Sequence, residues 1–404
     1  MAETAPDAGS TAFPIIRECP FKPPVEYTAI RAESPMTRVS LAGGRTAWLI
    51  TKHEYVRQLL GDARASSDPM RPGFPSLVEG QQAVDSKGVL PWLDPPEHTT
   101  YRRTVVSEFT YRRVKGMRSY IQNVVDECVD AMLSGPRPTD LVQQLSLVLP
   151  SLVICELLGV PYADRDMFQK RARTVVSRTV TAEEWANNLG DMRVYLGELV
   201  KAKVDTPEAE DLLSRLVVRF EEDGLTDLEH LVGLALLLLI AGFETTASLI
   251  SLSTVSLLTN PEQLALFKAD PEAAPAAVEE LLRFVSHADH VTNRVATADI
   301  ELPDGVIRAG EGMLLSTAAA NHDPDVFEHP DSLDLRREGR PGHLAFGYGI
   351  HQCLGQNLAR LEVEVALSTL FARIPDLRLA VPVEELPFTR ETLIYGYDSV
   401  PVTW

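Results

Sequence analysis

Cysteine is scarce in this 404-residue chain, with only Cys19, Cys128, Cys155 and Cys353. They are widely scattered, without the paired spacing of a metal finger, and a reducing compartment fits them. Cys155 lies in the largely apolar run Leu152–Leu158 and reads as an ordinary core residue. Positive charge is short too. Lys and Arg total 38 against 57 Asp and Glu, a net charge of −19, which argues against nucleic acid and anionic membrane surfaces as partners. The longest apolar run, Leu231–Gly242, falls short of a bilayer crossing. The N-terminus lacks the basic start and hydrophobic stretch of a secretory signal, so no membrane anchor and a cytoplasmic location are expected. Linkers, low-complexity runs and internal repeats are lacking as well. Length alone suggests two or three domains, yet nothing marks a boundary. Residues 1–404 are therefore expected to form one domain and a monomer, with 1–20 a flexible arm closing on Cys19-Pro20.

What is present is mostly helical periodicity. Two β-rich runs, Thr37–Leu41 and Thr46–Thr51, flank Gly43-Gly44 as a hairpin. A helical pattern starts at Glu54. It is interrupted by the proline- and glycine-rich loop Ser66–Trp92, the kind of long irregular segment that serves as a functional lid. Amphipathic helices then follow from Glu97 to about Asn260. The longest opens on Thr226-Asp-Leu-Glu229, a capping-box pattern, and stops before Asn260-Pro261. Strand periodicity returns from Arg294 to Leu315, with a turn at Pro303-Asp-Gly305, and again from Pro387 to Trp404. The fold class is mainly α with a minor β portion.

The densest chemistry lies between Ala345 and Gly355, Ala-Phe-Gly-Tyr-Gly-Ile-His-Gln-Cys-Leu-Gly. Gly347 and Gly349 let the backbone turn tightly and lie flat against a planar ligand. Cys353 sits at the start of a helical pattern running from Leu354 to Ala372, where free N–H groups and the helix dipole favour a thiolate. A sulfur anion on a rigid turn suits a metal, and thiolate is the axial ligand of oxygen-activating haem proteins. The complete pattern Phe346-Gly347-x-Gly349-x-His351-x-Cys353-x-Gly355 resembles the haem-binding loop of the cytochrome P450 superfamily. The resemblance runs from about Cys19 to Trp404. Cys19-Pro-Phe-Lys-Pro-Pro and Ser67-Asp-Pro-Met-Arg-Pro-Gly-Phe-Pro resemble the soluble actinobacterial branch, which tailors polyketides and other natural products or oxidises xenobiotics.

Other constellations gain meaning beside that loop. Ala241-Gly242-Phe243-Glu244-Thr245-Thr246 sets an acid and a hydroxyl in an oily helix. On its own this reads equally as a threonine bonding back to its own helix and a glutamate on a wet face. The resemblance makes Thr245 and Glu244 the catalytic alcohol and the acid that delivers protons. Glu280-Leu-Leu-Arg283 is a surface ion pair on the bland reading. In the family it is a buried structural pair completed by a second arginine, for which Arg336 and Arg337 both qualify. His98 and Arg102 lie one helical turn apart. With Arg294 and His351 they match the family's ligands for the two haem propionates, and Phe346, Gly347 and Gly355 complete the expected cofactor-binding set. Cys353 is the expected iron ligand. Three departures stand out: Tyr348 in a variable slot on the face where electrons arrive, His322 where arginine is common, and Leu333 where phenylalanine is common.

The activity implied is that of a haem-thiolate monooxygenase carrying haem b. It would insert one atom of O₂ into a bulky lipophilic molecule such as a polyketide or macrolide, by hydroxylation or epoxidation. A xenobiotic or steroid hydroxylase is the alternative. A peroxide-driven haem enzyme and a non-catalytic haem binder are disfavoured by the acid–alcohol pair. Pocket positions are expected at Leu236, Leu239, Ile240, Phe243, Val291, Thr292, Ile394 and Tyr395, apolar with isolated polar groups. Electrons would come from NAD(P)H through a ferredoxin reductase and a ferredoxin. Six cations between Arg102 and Arg118 face one acid, Glu108; this window is either a solvated helical face or the docking patch for that acidic partner.

Overall fold

The computed structural model describes residues 11–77, 87–206, 210–337 and 342–404. Helices α1 (Glu26–Glu33), α2 (His53–Gly61), α3 (Glu97–Val106), α4 (Tyr111–Gly116), α5 (Arg118–Ser134), α6 (Val148–Leu158) and α7 (Arg165–Val176) fill the first half. The second holds α8 (Ala182–Asp205), α9 (Leu212–Glu222), α10 (Leu228–Leu258), α11 (Pro261–Ala269), α12 (Ala274–Val285), α13 (Thr317–Asn321) and α14 (Gln356–Arg373). Short strands β1 (Thr11–Ala12), β2 (Met36–Ser40), β3 (Thr46–Ile50), β4 (Ala65–Ser66), β6 (Arg294–Ala296) and β9 (Gly312–Leu315) make one sheet in the order β1-β2-β3-β9-β6-β4. The remaining pairings are small: β7 (Ile300–Leu302) with β8 (Gly305–Ile307), β11 (Phe388–Thr389) with β12 (Gly396–Tyr397), and β13 (Pro401–Thr403) between β10 (Arg378–Leu379) and β5 (Thr139–Asp140). The β2–β3 hairpin turns where both Gly43 and Gly44 take positive φ.

Residues 11–20 are not the free arm expected from sequence. Thr11 and Ala12 pair with β2, and the Arg17 guanidinium is 1% exposed, donating to the carbonyls of Val285, Ser286, Cys19 and Pro20. A buried guanidinium must satisfy its donors, and four carbonyls at one corner do so. The first half of the expected arm, residues 1–10, lies outside the described residues.

Helix α10 organises the rest. Asp227 caps it by accepting the Glu229 N–H, in place of the Thr226 box expected from sequence, and Pro261 follows its end. Its 31 residues span about 46 Å. It is long and apolar enough to cross a bilayer, but it is the central helix here, packed against α6, α8, α12 and α14. Between His230 and Leu257 only Leu237, Ile240, Ala241, Gly242, Glu244 and Thr245 keep some exposure. Apart from Gly242 they recur at i, i+3, i+4, i+7 and i+8, which is one helix face. A stripe left open in the middle of a buried helix faces an internal cavity.

Helix α12 carries the ion-pair network that fixes the segment leading to the cysteine. Arg283 donates to both Glu280 carboxylate oxygens at 2.9 and 2.8 Å, and Arg337 Nε reaches the same pair at 3.1 and 3.2 Å. Arg337 therefore completes the network, while Arg336 is exposed. Arg283 also donates to the carbonyls of Asn321, Pro330 and Ser332, and Asn321 Oδ1 accepts the Leu344 N–H at 2.7 Å. Glu280 is 1% exposed, so removing a partner strands its charge. Arg337→Ala should cost about 3–5 kcal/mol of stability, whereas Arg336→Ala should stay within about 0.5 kcal/mol. Thermal denaturation of both variants decides it, and the reverse ranking would assign the network to Arg336.

Candidate active site

Cys353 is set by the turn before α14. Its N–H donates to Phe346 O at 2.9 Å, Gly347 N–H closes onto Leu344 O at 2.9 Å, and the N–H groups of Gly355 and Gln356 point at the sulfur. The helix starts at Gln356, two residues later than the sequence pattern suggested, so Leu354 and Gly355 belong to the turn. Gly349 has φ 75°, and a Cβ there would lie 2.6 Å from Leu60 O; the loop is stitched to α2 where only glycine fits. Burial pushes the Cys353 thiol up, against those two N–H groups and the nearby Arg102 and Arg360 guanidiniums. A metal cation reverses such a balance and holds the thiolate. Phe346 lies under the Arg360 guanidinium, 4.6 Å from the ring centre.

The four residues matched to propionates come together from three distant segments. His98 and Arg102 stand on α3, Arg294 opens β6, and His351 ends the short turn before Cys353. The His98 and His351 rings lie 4.2 Å apart, and Ser67 Oγ is 3.2 Å from His351 Nε2. Arg102 donates to Gln352 O at 2.5 Å, and Arg294 to Asn293 O at 2.8 Å. Both His98 ring nitrogens are buried without a hydrogen-bond partner. Burial, with the neighbouring guanidiniums, pushes His98 down to about 4 and His351 down to about 2; burial alone brings Arg294 down to about 10. A buried group of donors whose proton affinities all fall together calls for an anion among them. The paired carboxylates of a haem meet that demand, and the residues present fit the group.

On the other side, α10 presents its open stripe. Thr245 Oγ1 donates to Ala241 O at 2.7 Å, the local bond anticipated for a helical threonine. Burial raises the proton affinity of Glu244, opposed by Arg173 on α7, whose Nε lies 3.6 Å away, while Asp398 adds to the rise. Buried His287 lies against the Thr245 carbonyl and is pushed down to about 4 by burial. Next to this stripe is a cavity of about 230 Å³. Of the anticipated pocket residues, Leu236, Ile240 and Val291 line it; Leu239 and Phe243 face a smaller hollow beside α6. Thr292 donates to Leu315 O and is half-buried. Ile394 and Tyr395 are buried and do not line the cavity; Leu393 does, and the Tyr395 ring sits under Arg17. Within the Ser66–Trp92 loop, residues 78–86 lie outside the described residues, while Phe74, Leu77, Val89, Pro91 and Trp92 line the cavity. Trp185 and Leu189 also line it, from the 173–189 region expected to do so, whereas Arg193 and Asn293 lie outside the expected segments, because no local pattern marks a residue that meets the site only through tertiary packing.

Fold and site together define a haem-thiolate protein. A family model described as Cytochrome P450 matches residues 272–374. The chain is 48% identical to pentalenic acid synthase of Streptomyces avermitilis, covering 97% of both chains. It is 47% identical to vitamin D3 dihydroxylase of Streptomyces griseolus over the whole of both. Among solved structures, the mycinamicin VIII C21 methyl hydroxylase MycCI of Micromonospora griseorubida superposes with a TM-score of 0.92 at 40% identity, over 98% of this chain and 100% of that one. The chain belongs to the cytochrome P450 family and is a monooxygenase of the actinobacterial branch.

If Cys353 is the iron ligand, the reduced carbon monoxide adduct absorbs at the red-shifted position of thiolate haem. Cys353→His should lose that band and all monooxygenase activity. A band that survives the substitution would place the ligand elsewhere.

Proposed function

We propose that this protein uses haem b to insert one atom of O₂ into a bulky lipophilic secondary metabolite, by hydroxylation or epoxidation. The observation that carries this reading is the open face of α10, where Glu244 and Thr245 lie one turn beyond Ile240 and Ala241, which line a cavity walled mainly by apolar side chains. The relatives named for pentalenic acid and mycinamicin act on compounds of that kind, which supports the substrate class. Similarity to the vitamin D3 dihydroxylase favours a steroid-like molecule as the second reading. Cys353 would hold the iron, and His98, Arg102, Arg294 and His351 the propionates; the haem supplies the oxidising chemistry. The chain's own part is to shape the cavity and move protons. Thr245 spends its hydroxyl proton on Ala241 O, which leaves the oxygen lone pairs to accept a hydrogen bond. Glu244 holds a proton more readily than a surface glutamate, and half-exposed Arg173 connects it to solvent. That makes it the residue to pass protons inward. One domain, a monomeric state and a cytoplasmic location belong to the same reading.

Thr245→Ala keeps helix propensity and removes the hydroxyl. Substrate binding should survive, while product formed per NADPH should fall by roughly tenfold or more, the lost electrons appearing as peroxide or water. Coupling equal to wild type would show that protons arrive by another route.

Electrons would come from a ferredoxin, itself reduced by a ferredoxin reductase. The basic window supports docking on the cysteine side: Arg102 bonds Gln352 O, and Asn357, the second residue of α14, donates to Phe109 O. Arg113 pairs with buried Glu108, and Arg118 with Glu364. Arg112 and Lys115 are exposed and have no ion pair among the described residues, beside exposed Tyr111. Rim charges govern association rate and its salt dependence more than affinity. Arg112→Glu with Lys115→Glu should slow first-electron transfer from an acidic ferredoxin about tenfold at low salt and flatten its salt dependence, with substrate affinity unchanged. A wild-type rate and salt slope in stopped-flow reduction would make the window a solvated face.

A further inference from the structure

Two polar atoms on one wall of the cavity have no hydrogen-bond partner among the described residues, and both belong to the segment joining α12 to β6. Asn293 lines the cavity at 9% exposure. Its Nδ2 donates to Pro75 O at 3.2 Å, which fixes the amide orientation, since a flip would set two oxygens face to face. The remaining end, Oδ1, is buried and unpartnered. Three residues earlier, His290 also lines the cavity. Its Nε2 meets Tyr27 Oη at 2.7 Å and Asp289 Oδ2 at 3.2 Å, and Asp289 is itself held by Ser316 Oγ and the Ala318 N–H. The ring is packed edge-on against Phe13, so it cannot turn its other nitrogen to the same partners. Nδ1 is left buried and unpartnered. Buried polar atoms are almost always satisfied, and two exceptions on one cavity wall call for a ligand group.

We propose that the substrate carries a hydroxyl group that binds this wall, donating to Asn293 Oδ1 and pairing with His290 Nδ1. This rests on reading the cavity as the substrate site. The chemistry selects the group by elimination. Carboxylates, ketones and ethers only accept hydrogen bonds, and hydrocarbon does neither, so none of them can satisfy the amide oxygen. An ammonium could donate, but the Arg193 guanidinium lines the same cavity and opposes a second cation. The one proton of a hydroxyl goes to Asn293 Oδ1, so its lone pairs accept from His290 Nδ1–H, the tautomer in which Nε2 accepts from Tyr27 Oη. The site would thus take an alcohol-bearing lipophile and reject its capped analogue, because the analogue leaves a buried acceptor without a donor.

The test uses the haem-loaded protein and reads the substrate-induced change in the haem spectrum. Dehydroepiandrosterone, a hydroxylated macrolactone and borneol are each titrated against their own methyl ethers. At least one alcohol should bind, with its ether at least about tenfold weaker. Asn293→Leu should bring the two within about twofold while keeping the carbon monoxide band of wild type. Ethers that bind as well as alcohols, no alcohol binding at all, or a full preference surviving in Asn293→Leu would each overturn the proposal. The wild-type pairs need no variant, so poor folding of Asn293→Leu leaves the decision intact. Failure of the haem-thiolate reading would look different: wild type itself would lack the band.

Discussion

The sulfur of Cys353 is held in the middle of the protein by a turn fixed from three sides. Phe346 O takes the Cys353 N–H, the start of α14 turns two N–H groups toward the sulfur, and Gly349 is pressed against the backbone of α2. None of these is strong alone, since a typical hydrogen bond adds only about 1 kcal/mol to stability. Their joint effect is geometric: the sulfur cannot swing away, because each neighbour is anchored to a different element. The α12 network supports the same turn from behind. Glu280 gathers Arg283 and Arg337, and Arg283 reaches Asn321, whose side chain holds Leu344 at the head of the loop. A buried ion pair is weak evidence of stability, but it is directional, and here the direction leads to the cysteine.

The opposite side of the site works by a different rule. Helix α10 is buried almost throughout, so an acid in its middle carries a desolvation cost. Burial raises the proton affinity of Glu244, and Arg173 on α7 opposes that rise. The same α7 contributes Val175 and Val176 to the cavity wall. Whatever occupies the cavity therefore touches the helix that carries the acid's counter-ion, and occupancy and proton supply share one mechanical element.

Legibility from sequence followed the range of the interactions. The cysteine loop was readable because its chemistry sits within eleven consecutive residues. The acid–alcohol pair stood out as two polar residues in an oily helix, but only the family resemblance gave it a role. The propionate set needed the family resemblance, as His98, Arg294 and His351 come from three segments that only the fold brings together. Choosing Arg337 over Arg336 depended on a turn that no pattern encodes. The cap of α10 was placed one residue early, since Thr226 and Asp227 are both good caps and only the backbone selects between them. Ile394 and Tyr395 were expected at the cavity; their segment does arrive there, but it presents Leu393 and keeps the Tyr395 ring beneath Arg17. The ordered segment 11–20 was unreadable for a similar reason, as the partners of Arg17 lie more than 260 residues away.

Cationic side chains serve this acidic protein in two separable ways, and Arg102 belongs to both. Inward, Arg294, His98 and His351 are desolvated, where salt screens much less than it does at the surface. Outward, Arg112 and Lys115 are solvated and act through a field that salt erases. Arg102 stands at the boundary, half-buried, with one nitrogen on the carbonyl of Gln352, the residue before the cysteine. Arg102 and Cys353 also interact electrostatically, so the edge of the basic window and the sulfur meet at one guanidinium.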